Sequence, residues 1–408
     1  MQRKRFSSLL PYFYQPLTIL ALAVVLTSPM WAQPKFKILA TVPGGLFGGL
    51  TFDAKGNLYG ATGGGGDHND GTIFELTPGA HSWTLTTLHS FDGYDGGSPN
   101  GGLIFDAAGN LYGTSPSGGT YDGGTVFELT PGADSWSFND LYDFCPQYHC
   151  PDGSAPSGGL VMDRIGNLYG LAAGGGIYSE GIAFELVPGA GADGWSERVL
   201  YDFQNTKTGF DPSGALIFNS VGDLYGTTGG TFNSAAGTVF ELIKGSGGWR
   251  HKKLWQFDET DGAGPRYGVI FDKSGNLYGT TGGGGGTCDG EPCGTVFKLV
   301  PTLGGHWREE IIWGFPDPAN GFYPSTGLVF DGAGNLYGTT AQGGAGNCYN
   351  GCGVAYRLSP GANGKWAYKV LHKFIGNDGS LPPAGNLVLD EKGNLYGTAY
   401  GTVYEITP

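Results

Sequence analysis

Six cysteines, seven histidines and a recurrent aspartate are the residues of this chain whose types and spacing could support chemistry. The cysteines fall in three close pairs: Cys145/Cys150, Cys288/Cys293 and Cys348/Cys352. Such spacing suits disulfides in an exported chain, or metal ligation through C-x4-C and C-x3-C. The spacings miss the usual zinc pattern, and only His149, next to Cys150, favours a metal, so the pairs read as Cys145–Cys150, Cys288–Cys293 and Cys348–Cys352 disulfides. Asp53, Asp106, Asp163, Asp272, Asp331 and Asp390 each open the phrase D-x-x-G-[ND]. They could form a ring of cation ligands or general acids. They could equally be hairpin turns in which Asp bonds the backbone and Gly supplies a positive φ. Asn219 replaces Asp in the fourth copy, which a turn tolerates and a charged ligand does not, so the turn is the preferred reading.

Catalytic signatures are thin. There is no G-x-S-x-G elbow and no H-E-x-x-H. A His68/His149 acid–base pair would resemble lyase chemistry, although two loop histidines from different units meet easily by chance. The loop Asp67-His68-Asn69-Asp70 could hold a divalent cation, with a solvated polar tip as the preferred reading, and no metal or cofactor is assigned. The glycine run in GNLYGTTGGGGGTCDGEPCGTVFKL (275–299) lacks the lysine and the following helix of a phosphate loop, and reads as a connection stapled by its cysteines.

The elements that position these residues form a repeat. G-[ND]-L-Y-G recurs with its first glycine at 56, 109, 166, 222, 275, 334 and 393, a period of 53 to 59 residues. Such a period points to a solenoid, propeller or array. Each unit carries four segments: an apolar run a (GGLIFD, 101–106), the phrase b (NLYGTT), a segment c (GTVFEL) and a segment d from Trp to Phe (SWSFNDLYDF, 135–144). Their β-branched and aromatic content, bounded by Gly, Pro, Asp or Asn, predicts strands. Four strands in each of seven units predict an all-β, seven-bladed propeller with antiparallel blades. The last unit stops after c, while KFKILATV (35–42) is an orphan d with Leu39 and Val42 at the Leu and Phe positions. The N-terminal strand is therefore expected to complete the last blade and close the ring.

Composition and charge bound the function. With 79 glycines but 39% hydrophobic and 13% aromatic residues, the chain is globular rather than low-complexity. Arg3, Lys4 and Arg5 followed by the apolar core Leu17–Leu26 read as a signal peptide over 1–32. That core is too short to span a bilayer. Residues 33–408 read as one propeller, secreted or periplasmic, monomeric and without a membrane anchor. Removing the three basic residues takes the formal charge from −14 to −17, which repels phosphate backbones and excludes nucleic acid as a partner.

The core YGTT-x-x-GG-x(n)-GTVF-x-L resembles the Gloeobacter/Verrucomicrobia (GloVer) tandem repeat of exported bacterial proteins, over nearly all of 43–408 in seven copies. The resemblance implies the repeat architecture and export, and no established activity. Some members of that family end in a surface anchor, and the departure of this sequence from that pattern leads to the expectation of a released or periplasmic form. The phrase D-x-x-G-N-L-Y is also similar to streptogramin lyases and NHL-type repeats.

Strand direction sorts the loops. In an antiparallel four-stranded blade the a–b and c–d turns share one face, and the b–c and d–a loops share the other. The second face carries the cysteine pairs and most unrepeated residues: Asp67, His68 and Asp70, Tyr121 and Asp122, Tyr178 and Glu180, Arg266 and Tyr267, Phe322 and Tyr323, and Tyr349. Variable loops on a rigid scaffold carry binding, so these are the candidate ligand-binding residues, and none is assigned as catalytic. The D-G-x-x-P-x-x-G motif between d and a, as in DGGSPNGG from Asp95, reads as a turn. The expected function is non-catalytic binding of a glycan, peptide or protein. The alternative is a lyase or hydrolase acting on a polysaccharide or lactone, and a third reading is a module that associates with itself.

Overall fold

The computed structural model describes residues 33–45, 48–189, 194–204, 208–230, 236–285, 287–288, 291–379 and 385–408, with backbone alone at 287–288 and 291–292. The expected signal peptide lies outside the described residues. Pro34–Pro408 forms one compact unit, in which four-stranded antiparallel sheets are the blades of a seven-bladed ring. Blade 1 comprises strands a (Thr51–Phe52), b (Leu58–Thr62), c (Thr72–Pro78) and d (Trp83–Ser90), and blades 2 to 6 follow in chain order. Blade 7 takes a, b and c from Val388–Leu389, Leu395–Ala399 and Thr402–Thr407, and its outer strand from Lys35–Thr41. Lys35 pairs with Thr407 and Thr41 with Thr402, so the N-terminal strand closes the ring as the repeat phasing predicts.

Two recurrent features build each blade. Strand b is buried along its length, and its glycine faces the aromatic residue of strand c: Gly60 pairs with Phe74. A Cβ on Gly60 would lie 2.6 Å from the Phe74 ring, which fills the space the glycine leaves. Between blades, apolar clusters straddle the seams, as where Leu39 and Val403 of blade 7 meet Leu50 and Leu58 of blade 1. Each such side chain contributes about 1.5–3 kcal/mol when buried. The outer strands stack rings across the same seams, His89 on Phe138 at 4.0 Å and His372 on Phe36 at 3.7 Å.

The repeated aspartates are turn residues. Asp53 Oδ1 accepts from the Lys55 and Asn57 N–H groups at 2.8 and 2.9 Å, and Oδ2 accepts from the Asn57 amide at 2.9 Å. Blade 4 exchanges the partners: Asn219 Oδ1 takes the Val221 and Asp223 N–H groups, and its amide donates to Asp223 Oδ2 at 3.1 Å. The turn needs one amide and one carboxylate, in either order.

Cys145–Cys150 and Cys348–Cys352 are disulfides. Cys293 is buried and disulfide-bonded, while the side chain of its expected partner Cys288 lies outside the described residues. The glycine-rich connection of blade 5 forms a small hairpin in which Thr287 pairs with Pro292 and Cys288 with Glu291.

Candidate functional site

The d–a loops are built alike, and their construction aims particular residues at the ring axis. The residue before the loop proline adopts left-handed backbone in successive blades: Ser98 (φ 52°), Ala155 (52°), Asp211 (54°), Gly264 (67°) and Tyr323 (62°). Few non-glycine residues tolerate this, and a following proline restricts them further. The strain is offset by one bond made each time to the preceding b–c loop. Ser98 N–H donates to Asp70 O at 2.7 Å, Ala155 to Gly123 O at 2.8 Å, Asp211 to Glu180 O at 3.3 Å and Tyr323 to Cys293 O at 2.9 Å. The next residues then bulge away from strand b, as the register shift between Ser157 and Val161 records.

A cavity of about 310 Å³ opens where these loops converge, at the lower end of the range for small-molecule sites. Gly49, Gly102, Gly159 and Ala215 hold one ring position in blades 1 to 4, and Asn386 holds it in blade 7. The residues after the proline supply a polar arc of Asn100, Ser157, Ser213 and Arg266, joined by Asp211 and Tyr267. Asn100 Oδ1 and Ser213 Oγ are buried without a hydrogen-bond partner. The Arg266 guanidinium donates to the Asp211 carboxylate at 2.6 Å and to Gly230 O at 3.4 Å. Burial, and then nearby Tyr323, push the Tyr267 phenol up to about 12, while Arg266 acts in the opposite sense. Tyr267 is thus a neutral hydrogen-bonding phenol across the physiological range. The mouth has both donors and acceptors, and its two charged side chains compensate each other.

Of the candidate residues named from sequence, the structure brings Arg266 and Tyr267 to this cavity, with Tyr323 beside them. The others lie elsewhere. Asp67 and His68 are exposed, and the Asp67 N–H is held by Ser90 Oγ at 2.8 Å. Asp70 and Glu180 act through the main-chain oxygens already described. Asp122 caps its own loop by accepting from Gly118 N–H at 3.3 Å. Tyr121 and Tyr178 are half exposed and Tyr349 almost wholly so. Phe322 belongs to the core: Phe322–Pro324 forms a strand against Gln342, and the ring packs with Phe315. His149 is exposed with its ring beside Tyr148. Among the described residues, no three His, Cys, Asp or Glu side chains are grouped to hold a metal ion.

Asp211 and Ser213 stand in a fourth copy that departs from the D-G-x-x-P-x-x-G motif, and Asn386 lies one residue beyond it in blade 7. Asn100 and Ser157 escaped the sequence reading because they sit in that motif, which reads as a turn. Its first half is one, but its second half lines the mouth. The available signal was irregularity within the repeat, namely the changing residue after proline and an asparagine where glycine stands elsewhere. A second cavity, about 570 Å³, lies between the a–b turns of blades 3 and 4, lined by Ile165, Val221 and Lys244 among others. Asp163 and Asn219 there are already engaged in their turns, which makes it the poorer candidate.

Comparison places this geometry among known proteins. A family model described as the Gloeobacter/Verrucomicrobia repeat matches residues 39–194 and 152–349. No curated protein matches the chain. Among solved structures, the propeller is similar to a streptogramin B lyase at 14% identity and TM-score 0.58, covering 92% of this chain and 98% of that one. It is similar to the extracellular domain described for a hybrid two-component system of B. thetaiotaomicron, at 12% identity and TM-score 0.54, over 92% of this chain and 41% of that one. An extracellular domain described for a one-component system of the same organism gives 12% identity and TM-score 0.55, over 91% and 39%. The chain therefore spans about two fifths of those last two proteins, and at these identities the likeness concerns the fold.

Proposed function

The chain belongs to the Gloeobacter/Verrucomicrobia repeat family, and on that premise we propose that it is an exported, non-catalytic propeller that binds a glycan, peptide or protein through the mouth formed by its d–a and b–c loops. The observation that carries this reading is the break in ring symmetry. Gly49, Gly102, Gly159 and Ala215 share the mouth with Asn100, Ser213, Arg266 and Tyr267, and two polar atoms of that set are buried and unpartnered. Unpaired buried polar groups cost about 1–3 kcal/mol each, and a ligand that satisfies them recovers that cost. Export is supported by the disulfides, which persist in oxidising compartments. No helix among the described residues is long and apolar enough to cross a membrane.

The test uses Gly102, where an added Cβ would meet nothing nearer than the Asn386 amide at 3.9 Å. Gly102→Trp should fill the mouth and leave the melting temperature unchanged. In equilibrium binding to a panel of oligosaccharides and peptides, the wild type should bind at least one member saturably and Gly102→Trp none. Binding that survives this substitution would place the site elsewhere. Turnover of any panel member by the wild type would make the protein an enzyme.

A further inference from the structure

We infer that the ligand of the mouth is one ring of an extended, uncharged polysaccharide, whose neighbouring sugar units lie over tyrosines on the same face. This rests on the binding role proposed above and narrows it to one chemical class.

The first argument is chemical. The groups that line the mouth are amides, hydroxyls and a phenol: Asn100, Ser213, Asn386 and Tyr267. The unpartnered Asn100 Oδ1 requires a donor from the ligand, and the Ser213 hydroxyl can donate or accept a hydrogen bond. The two charged side chains present, Arg266 and Asp211, are already paired. A ligand with many neutral hydroxyls satisfies such a set, whereas an ionic ligand would have to break the pair or leave its own charge uncompensated. The volume of about 310 Å³ suits one or two sugar rings.

The second argument comes from the surrounding surface. Tyr94, Tyr121, Tyr148, Tyr178, Tyr349 and Tyr400 are each at least 50% exposed, and all lie in b–c or d–a loops. No exposed tyrosine among the described residues lies on the opposite face, where the exposed large side chains are Ile165, Val221 and Leu303. A tyrosine presents a flat apolar face and a polar edge, and it binds at low cost in side-chain entropy. A pyranose has the matching form, with C–H groups on its faces and hydroxyls around its rim. The net charge of −14 disfavours a polyanionic chain. Strand a is only two residues long in blades 1, 2 and 7, so the inner edges there give an added peptide strand little to pair with.

The experiment is isothermal titration calorimetry of the full propeller with cellohexaose, xylohexaose, mannohexaose and maltohexaose, and with oligogalacturonate and unstructured peptides as contrasts. At least one neutral hexaose should bind saturably. Asn386→Gly, which installs the residue found at this position in most blades, should fold normally and weaken binding about tenfold, the worth of one good hydrogen bond. Tyr121→Ala with Tyr148→Ala should weaken the hexaose while leaving the disaccharide of the same sugar unaffected. If only oligogalacturonate or a peptide binds, and Gly102→Trp abolishes it, the neutral-sugar assignment is wrong and the binding mouth stands. If no probe binds, both readings fail.

Discussion

The Arg266 guanidinium meets the Asp211 carboxylate at 2.6 Å, joining two consecutive d–a loops at the rim of the mouth. Both side chains are partly exposed, so the pair adds little to stability, below about 1 kcal/mol by the usual worth of such contacts. Its consequence is electrostatic, because it leaves the mouth without a free charge. Asp211→Asn is therefore expected to keep the melting temperature while creating affinity for oligogalacturonate. That affinity should weaken steeply with added salt. An unchanged preference for neutral probes would mean that Arg266 does not face the ligand.

The glycines at the start of strand a hold neighbouring blades backbone to backbone. A Cβ on Gly101 would lie 2.1 Å from Gly158 O, and the contact recurs from Gly158 to Gly214 O at 2.4 Å. Gly101→Ala should cost at least the about 1–3 kcal/mol typical of overpacking, read as a lower midpoint in urea. Gly189→Ala, where an added Cβ meets nothing within 4 Å, is the neutral control. Equal midpoints for the two variants would refute the close packing at the axis.

Why the fold was legible and the site was not follows from particular residues. The Gly60–Phe74 contact and the Asp53 turn need fixed residue types, so they recur as LYG, GTVF and D-x-x-G and reveal blade, phase and closure. The mouth residues lie at a bulge in strand a, where alternation no longer tells which side chain faces the channel. Asn100 and Ser157 therefore looked like turn residues, while Phe322, which looked like a loop residue, is core. Tyr267 was visible because it interrupts the repeated glycines, and Arg266 because it puts a charge where Asn or Ser stands in blades 2 to 4.

Stability should fall as pH rises from about 4.5 to about 8. Burial, then Asp152 and Asp202, raise Glu197 to about 8, and burial with Asp261 and Glu310 raises Glu309 to about 7. Each holds a proton in the fold that the unfolded chain, near 4.5, has released. The stability linked to that proton is complete below the unfolded value and is lost as pH rises through the folded one. His251 acts oppositely: burial, then Lys253, lower it to about 4, so its contribution grows up to about 6.5. Two glutamate protons outweigh the one histidine proton even below that point, so the urea midpoint should decline from about pH 4.5 to about pH 8 and then level. Glu197→Gln should flatten part of the decline, and an unaltered slope in that variant would exclude Glu197 as its source.

The Cys348–Cys352 disulfide closes a short b–c loop in blade 6. Replacing both residues with serine should cost about 2 kcal/mol by chain entropy for a loop this small. Native protein should resist alkylation at Cys145, Cys150, Cys348 and Cys352 unless reduced. Alkylation without reductant would show the bonds absent in solution.

Where a bound ligand touches the protein is best read by hydrogen–deuterium exchange on the complex with the tightest-binding probe of the panel. Protection is predicted in 97–103, 211–216 and 264–268, with the a–b turns at 163–166 and 219–222 unaffected. Protection confined to those turns, or no saturable binding by any probe, would contradict a binding mouth at the d–a face.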